Sequence, residues 1–251
     1  MENNIKKCDL AIIVPVLNCL EYTRSFIQKL KIKRDYRLIV INNGSTDGTM
    51  GYLKYYSRTK EITIIDYPQN MGVAYAWNTG IKYAIENFDS KYFFIPNNDI
   101  ILYPKTVERM IEAFDNKDVV LTTALNINNG EPFPDNIDKI DDMFGDEITE
   151  KPDFSCFMIS KECVEKVGMF DENFYPAYFE DNDYHYRIKK AGLKAIKTNR
   201  AVFYHFGSQT IKNDEKIRNF SNKKYLDNKE YFIKKWGGCP GNEIFDTPFG
   251  E

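Results

Sequence analysis

The chain lacks most of the markers that assign a protein quickly. Its five cysteines (Cys8, Cys19, Cys156, Cys163 and Cys239) form an odd, scattered set with no CxxC pair. That argues against a disulfide framework or a zinc site and fits a reducing compartment. No apolar run approaches the roughly 20 residues that span a bilayer. The polar stretch Met1 to Lys7 has no apolar core of the signal-peptide kind. With a formal charge of −3, general nucleic-acid binding by phosphate neutralisation is not expected. Neither a Walker A nor a GxGxxG sequence occurs, so no familiar glycine-rich phosphate cradle can be assigned. The expected location is cytoplasmic, with peripheral contact at the inner face of a membrane left open.

What is present is an apolar content of 43%, enough for a large core in a chain of 251 residues. Leu10 to Val14 is a continuous apolar run, which suits a strand buried on both faces. Pro15 ends it, and Tyr22, Phe26, Ile27 and Leu30 follow at helical spacing. Arg37 to Ile41 reads as a second strand, opening into Asn42-Asn43-Gly44-Ser45-Thr46-Asp47-Gly48 and a helix to about Tyr56. Ser45 or Thr46 is the expected N-cap of that helix. Ile62 to Ile65 is a third strand, Pro68 to Gly72 its loop, and Val73 to Ile85 the next helix. This alternation predicts βαβ units and a parallel sheet. Right-handed crossovers would then collect the loops along one edge, where a nucleotide site is expected.

Phe93-Phe94-Ile95-Pro96 is an aromatic strand that delivers Asn97, Asn98 and Asp99 at its C-terminal end. Ligands of open α/β sheets bind at that end. A carboxylate there suits a hard divalent cation carrying a phosphorylated substrate. A plain capped turn fits the same residues. A helix over Pro104 to Phe114 and a short strand over Val119 to Thr123 are predicted next. Residues Asn126 to Asp153 lose periodicity, turn acidic, and read as a long loop or lid. A strand (Phe154 to Ile159) and a helix (Lys161 to Val167) follow. Then four aromatics lead directly into Glu180, Asp181 and Asp183. Acids at a helix start are electrostatically favourable on their own. Clustered carboxylates also raise one another's pKa, as a general base near neutrality requires. His205 ends an apolar strand, and a lone His there is most simply structural. His185, inside the helix after the acids, is also read as structural. Lys223 to Lys235 reads as a basic amphipathic helix.

The order of these segments resembles the family 2 glycosyltransferases with a GT-A fold, especially the bacterial rhamnosyltransferase-like branch. The residues that carry the resemblance span about Leu10 to Gly238. They are Ile13-Val14-Pro15-Val16-Leu17-Asn18, Asn42 to Asp47, Asn70-Met71-Gly72 and Asn78-Thr79-Gly80. They continue with Asn97-Asn98-Asp99, Gly168 to Glu172, Phe179 to Asp183 and His205. The resemblance implies an α/β fold with a single GT-A (Rossmann-like) domain over residues 1–238. Its mostly parallel central sheet would be flanked by helices. About 8–99 would form the nucleotide half, 100–212 the acceptor half and 213–238 a C-terminal helix, with 239–251 as a tail. It further implies inverting, metal-dependent transfer of a hexose or deoxyhexose from a nucleoside-diphosphate sugar. The acceptor would be a glycan, lipid-linked or protein hydroxyl in surface glycan synthesis.

By position, the resemblance assigns nucleotide contacts to Pro15, Val16, Asn18, Asn42, Asn43, Ser45, Asn70, Gly72, Asn78, Asn97 and Asn98. Asp99 and His205 would hold Mn2+ or Mg2+, Asp181 would be the catalytic base, and Glu180 would position it or the acceptor. Asn42 and Asn97 each stand where the family commonly has Asp. A nucleotidyltransferase would need a glycine-rich triphosphate loop with Arg or Lys near the first strand, where this chain has Pro15-Val16-Leu17-Asn18. A non-catalytic nucleotide-sugar or glycan-binding module would not need the Glu180-Asp181 pair. Transfer to a modified nucleobase is a further alternative.

Overall fold

The computed structural model describes residues 7–128, 146–207 and 215–251. Among the described residues, nine strands form one sheet. They are β1 (Leu10–Val16), β2 (Arg37–Asn43), β3 (Thr63–Tyr67), β4 (Tyr92–Pro96), β5 (Ile100–Leu102), β6 (Val119–Asn126), β7 (Asp146–Ile148), β8 (Cys156–Ser160) and β9 (Lys194–His205). The order is β3-β2-β1-β4-β8-β6-β9-β5, with β7 also on β9. β3, β2, β1 and β4 pair in parallel, as the alternating pattern requires. β8 then runs antiparallel between β4 and β6, and β9 returns parallel to β6.

The helices are α1 (Leu20–Lys29), α2 (Thr49–Tyr56), α3 (Val73–Phe88), α4 (Thr106–Glu112), α5 (Lys161–Val167), α6 (Glu180–Lys190) and α7 (Glu215–Trp236). Alternate side chains of each inner strand enter opposite cores. Ala11, Ile13, Ile39, Phe93 and Ile95 join α3 and the α5–α6 side in one cluster. Leu10, Ile12, Val14, Val40 and Phe94 join α1 and α4 in the other. α3 approaches β1 so closely that a Cβ on Gly80 would lie 2.2 Å from Ile13 Cγ2. A third cluster of Phe174, Phe179, Phe232 and Trp236 fastens α7 to the lead-in of α6. None of the helices among the described residues is long and apolar enough to cross a membrane.

The structure differs from the sequence reading in several places. The predicted loop 126–153 contains β7, paired antiparallel with β9, while residues 129–145 lie outside the described residues. β9 starts at Lys194, well before the apolar stretch that marked it. Residues 239–251 dock rather than trail: Ile244 and Phe245 donate backbone N–H groups to the Trp236 carbonyl, and Tyr186 Oη donates to the Phe245 carbonyl (2.9 Å).

Candidate active site

The C-terminal ends of β1, β2 and β4 open into a cleft of about 360 Å³, closed opposite by the turn before α6. Three polar loops build its sheet side by bonding to one another. Asn18 N–H donates to Ser45 Oγ (2.8 Å), and Asn18 Oδ1 accepts from Thr46 N–H (2.7 Å). Asn43 Nδ2 donates to Asn70 Oδ1 (3.0 Å) and the Gly72 carbonyl (3.2 Å), while its Oδ1 accepts from Met71 N–H (2.8 Å). Between them Gly44 has φ +84°, and a Cβ there would sit 2.5 Å from the Gln69 carbonyl carbon. Only glycine permits that contact at that φ. The N-cap expectation is corrected here. Gly48 caps α2 without a side chain, and Asp47 Oδ1 accepts from Thr49 N–H (3.1 Å) and Oγ1 (2.6 Å). Burial alone would raise Asp47, but these bonds and one from Leu20 N–H hold its carboxyl below its ordinary value.

β4 ends at Pro96, and the following turn is fixed from both sides. Asn97 N–H donates to the Ser155 carbonyl (2.8 Å), and Asn98 Nδ2 to Thr23 Oγ1 (2.9 Å). Asp99 is buried, and the antiparallel register of β5 on β9 sets Ile100 opposite His205. That register brings His205 Nε2 to 3.1 Å from Asp99 Oδ1. The Asp99 carboxylate, which lines the cleft, thus meets the His205 imidazole, which does not line it, although the two lie 106 residues apart.

The opposite wall is the start of α6. Tyr178 (φ 80°) and Phe179 (φ 74°) are consecutive left-handed residues without being glycines. Such strain gathers at sites where the surroundings hold it. The holder is Asn228 of α7, whose Nδ2 donates to the Ala177 (2.9 Å) and Tyr178 (3.2 Å) carbonyls. Glu180 is buried, and its Oε2 has no hydrogen-bond partner among the described residues. Burial pushes its carboxyl far above the ordinary value, and the Asp181 and Asp183 charges add to this. Burial also raises Asp181, which is half-buried, against a backbone hydrogen bond from Asn182 (2.8 Å). Asp183 is turned away into an ion network. It takes Arg187 Nε (2.9 Å), Lys235 Nζ (2.6 Å) and Trp236 Nε1 (2.9 Å).

Residues 11–168 match the model of Glycosyl transferase family 2. The chain belongs to that family. The galactofuranosyl glycosyltransferase of Leishmania donovani is 24% identical over 216 residues, covering 70% of this chain and 49% of that protein. A Staphylococcus aureus (strain MRSA252) protein, TagX, carries a glycosyltransferase name. It is 27% identical over 240 residues, covering 90% of this chain and 64% of that protein. The chain thus spans about half to two thirds of the length of these curated relatives. Among solved structures, a mannosyltransferase from Pyrobaculum calidifontis in complex with GDP-Man and Mn2+ superposes with a TM-score of 0.66 at 15% identity. That match covers 94% of this chain and 66% of the other. The fold is GT-A, as expected.

In this family 2 member, the cleft brings together Pro15, Val16, Asn43, Asn70, Asn97, Asn98, Asp99, Glu180 and Asp181. It does not bring in every residue assigned to nucleotide contact. Asn42 is buried and donates to Asp66 Oδ1 (2.6 Å), so it braces the end of β3 and does not line the cleft. Asn78 is also a correction. Its buried amide clamps the Phe170 backbone and donates to Glu172 Oε1 (2.7 Å), leaving it in the packing under α3. Asn18, Ser45 and Gly72 shape the loops without lining the space. Sequence reasoning missed Asp153, Trp77, Tyr178 and Ser221, which do line it. No periodicity or motif marks those four.

No group of three or more acidic, His or Cys side chains suited to a metal occurs among the described residues. The chain's own candidate donors are the Asp99 carboxylate and the His205 imidazole bonded to it, an oxygen and a nitrogen that would suit a divalent cation carrying a phosphorylated substrate.

Proposed function

We propose that this chain transfers a sugar from a nucleoside-diphosphate sugar to an acceptor hydroxyl, with inversion at the anomeric carbon. The observation that carries this reading is one cleft lined by Asp99 on the sheet wall, with His205 bonded to it, and by the Glu180–Asp181 carboxylates on the facing wall. The sheet-edge loops, with Asn43 and Asn70 at their junction, would receive the nucleotide. Asp99 and His205 would hold Mn2+ or Mg2+, which supplies charge neutralisation for the departing diphosphate.

Asp181 then acts as general base. It accepts the proton of the acceptor hydroxyl as that oxygen bonds to the anomeric carbon and the bond from that carbon to the diphosphate oxygen breaks. Burial raises the Asp181 carboxyl, the direction that strengthens it as a general base. Glu180, whose carboxyl burial raises far above its ordinary value, can in its protonated form donate a hydrogen bond toward the acceptor or to Asp181. The donor would be a hexose or deoxyhexose and the product part of a surface glycan. The chain divides functionally into a nucleotide half up to about residue 99 and an acceptor half beyond it.

Asp181→Asn keeps shape and removes the base, so transfer from a productive nucleotide sugar is expected to fall about 10²–10⁴-fold with nucleotide affinity retained. Unchanged turnover in a folded Asp181→Asn protein would contradict the assignment. Proton NMR of the first product formed reads the anomeric configuration and tests inversion directly.

A further inference from the structure

Asp181 borders three spaces. One is the cleft already described. The second is a recess of about 310 Å³ between the start of α6 and the C-terminal helix. The third, about 550 Å³, lies on the other side of α6. Under the reading above, the acceptor oxygen must reach Asp181 from a side that the donor does not fill. One of the two outer recesses is therefore its route, and their chemistry differs. The larger one is lined by Lys151 and Lys189 but also by Glu150, Asp181 and Glu243, and Lys189 Nζ is 2.6 Å from Glu150 Oε2, so carboxylates outnumber cations there. Among the described residues that line the smaller one, Lys229 is the single cation and Asp181 the single carboxylate. Lys229 is half-buried and has no ion-pair partner among the described residues.

The remaining wall of the smaller recess is aromatic. Tyr178 and Tyr225 meet edge to face at 5.4 Å, and Tyr225 packs on Phe179 at 5.1 Å. Tyr225 keeps 42% of its surface exposed. Such rings offer an apolar face with a polar rim, suited to the faces of a sugar ring. The wall is also fixed in advance, because Asn228, next to Lys229, holds the left-handed Tyr178 backbone through its carbonyl (3.2 Å). A compact ammonium group beside it is a fitting partner for a phosphate.

We propose that this recess is the acceptor subsite and that it takes a sugar carrying a phosphate, with Lys229 on the phosphate and Tyr178 and Tyr225 against the sugar. The inference rests on the glycosyl-transfer reading only for the route to Asp181. Its test needs no turnover. Matched probes are N-acetylglucosamine 1-phosphate and the neutral methyl N-acetylglucosaminide, with binding read by ligand-observed NMR on the full chain. At low salt the phosphate probe is expected to bind at least tenfold more tightly. That preference should vanish in Lys229→Met and persist in Lys189→Met, while Tyr225→Ala weakens both probes.

Equal binding of the two probes, no binding of either, or a preference that survives Lys229→Met would each overturn the proposal. A prenyl-diphosphate-linked and a glycerol-phosphodiester-linked form of the same sugar distinguish a lipid carrier from a polymer as the phosphate source. Tighter binding of either than of the neutral probe supports the proposal. Titrating nucleoside diphosphates in the same samples separates the two readings. Nucleotide binding without probe binding removes only the acceptor subsite, and probe binding without nucleotide binding removes the transferase reading.

Discussion

Glu180 and Asp181 are adjacent in sequence but differ in environment. Glu180 is buried, its Oε2 has no hydrogen-bond partner among the described residues, and burial raises its carboxyl well above its ordinary value of 4.5. Its folded-state pKa is thus raised above the unfolded one. The stability it contributes is full below about pH 4.5 and is lost as pH rises through the folded value. Glu180→Gln mimics the protonated acid at every pH. It is therefore expected to raise the melting temperature at pH 7–8, with the gain shrinking toward zero near pH 4.5. Melting curves across that range check it; a constant offset at all pH values would argue against a neutral Glu180. Asp181, also raised, should set the acidic limb of the pH–rate profile, with activity rising as pH climbs through its value.

At this scale the sequence revealed the chemistry-bearing residue types but not their partners. The Asp99–His205 contact was expected only through resemblance to a family, because it depends on an antiparallel register that no local pattern encodes. Asn42, at the end of β2, and Asn78, inside α3, were assigned nucleotide contacts by resemblance alone, and a side-chain amide serves equally well as a strut; in the structure both are buried in hydrogen bonds within the protein.

Among the elements, the joint between α6 and α7 does most to set the wall of the cleft that faces the sheet. Lys235, itself buried, lies 2.7 Å from Asp171 and 2.6 Å from Asp183. Burial would raise Asp171, yet Lys235 and Asn173 hold it below its ordinary value. Removing one partner of a buried pair leaves uncompensated charge and costs about 3–5 kcal/mol. Lys235→Met is expected to destabilise by that order in urea unfolding, and Asp171→Asn in the same chain should recover part of the loss. An additive double mutant would show that the two side chains are not coupled.

The βαβ elements up to β4 were legible because continuous apolar runs alternated with helical spacing. The antiparallel strand β8 and the short β7 were not legible as such. A buried strand has the same composition in either direction, and β7 offers only Asp146, Glu147 and Ile148. α7 was legible as a basic helix, whereas its buried Lys235 could not be told from the exposed lysines around it.

For the whole molecule, the sheet edge gathers loops from β1, β2, β3 and β4 onto one side of a cleft, and α6 and α7 supply the other. In the proposed reaction the nucleotide occupies one wall and the acceptor the opposite one. The most direct test of the central claim is a thermal-shift measurement with nucleoside diphosphates, with and without Mn2+, on the wild-type chain and Asp99→Ala. A ligand held only by the folded state at about 100 times its Kd adds about 2.7 kcal/mol. For a chain of this size that corresponds to roughly 5–10 °C. The expected result is a shift of that order with one nucleoside diphosphate, dependent on Mn2+ and lost in Asp99→Ala. If no nucleoside diphosphate moves the wild-type melting temperature under either condition, the cleft is not a nucleotide-sugar site and the proposed reaction is contradicted.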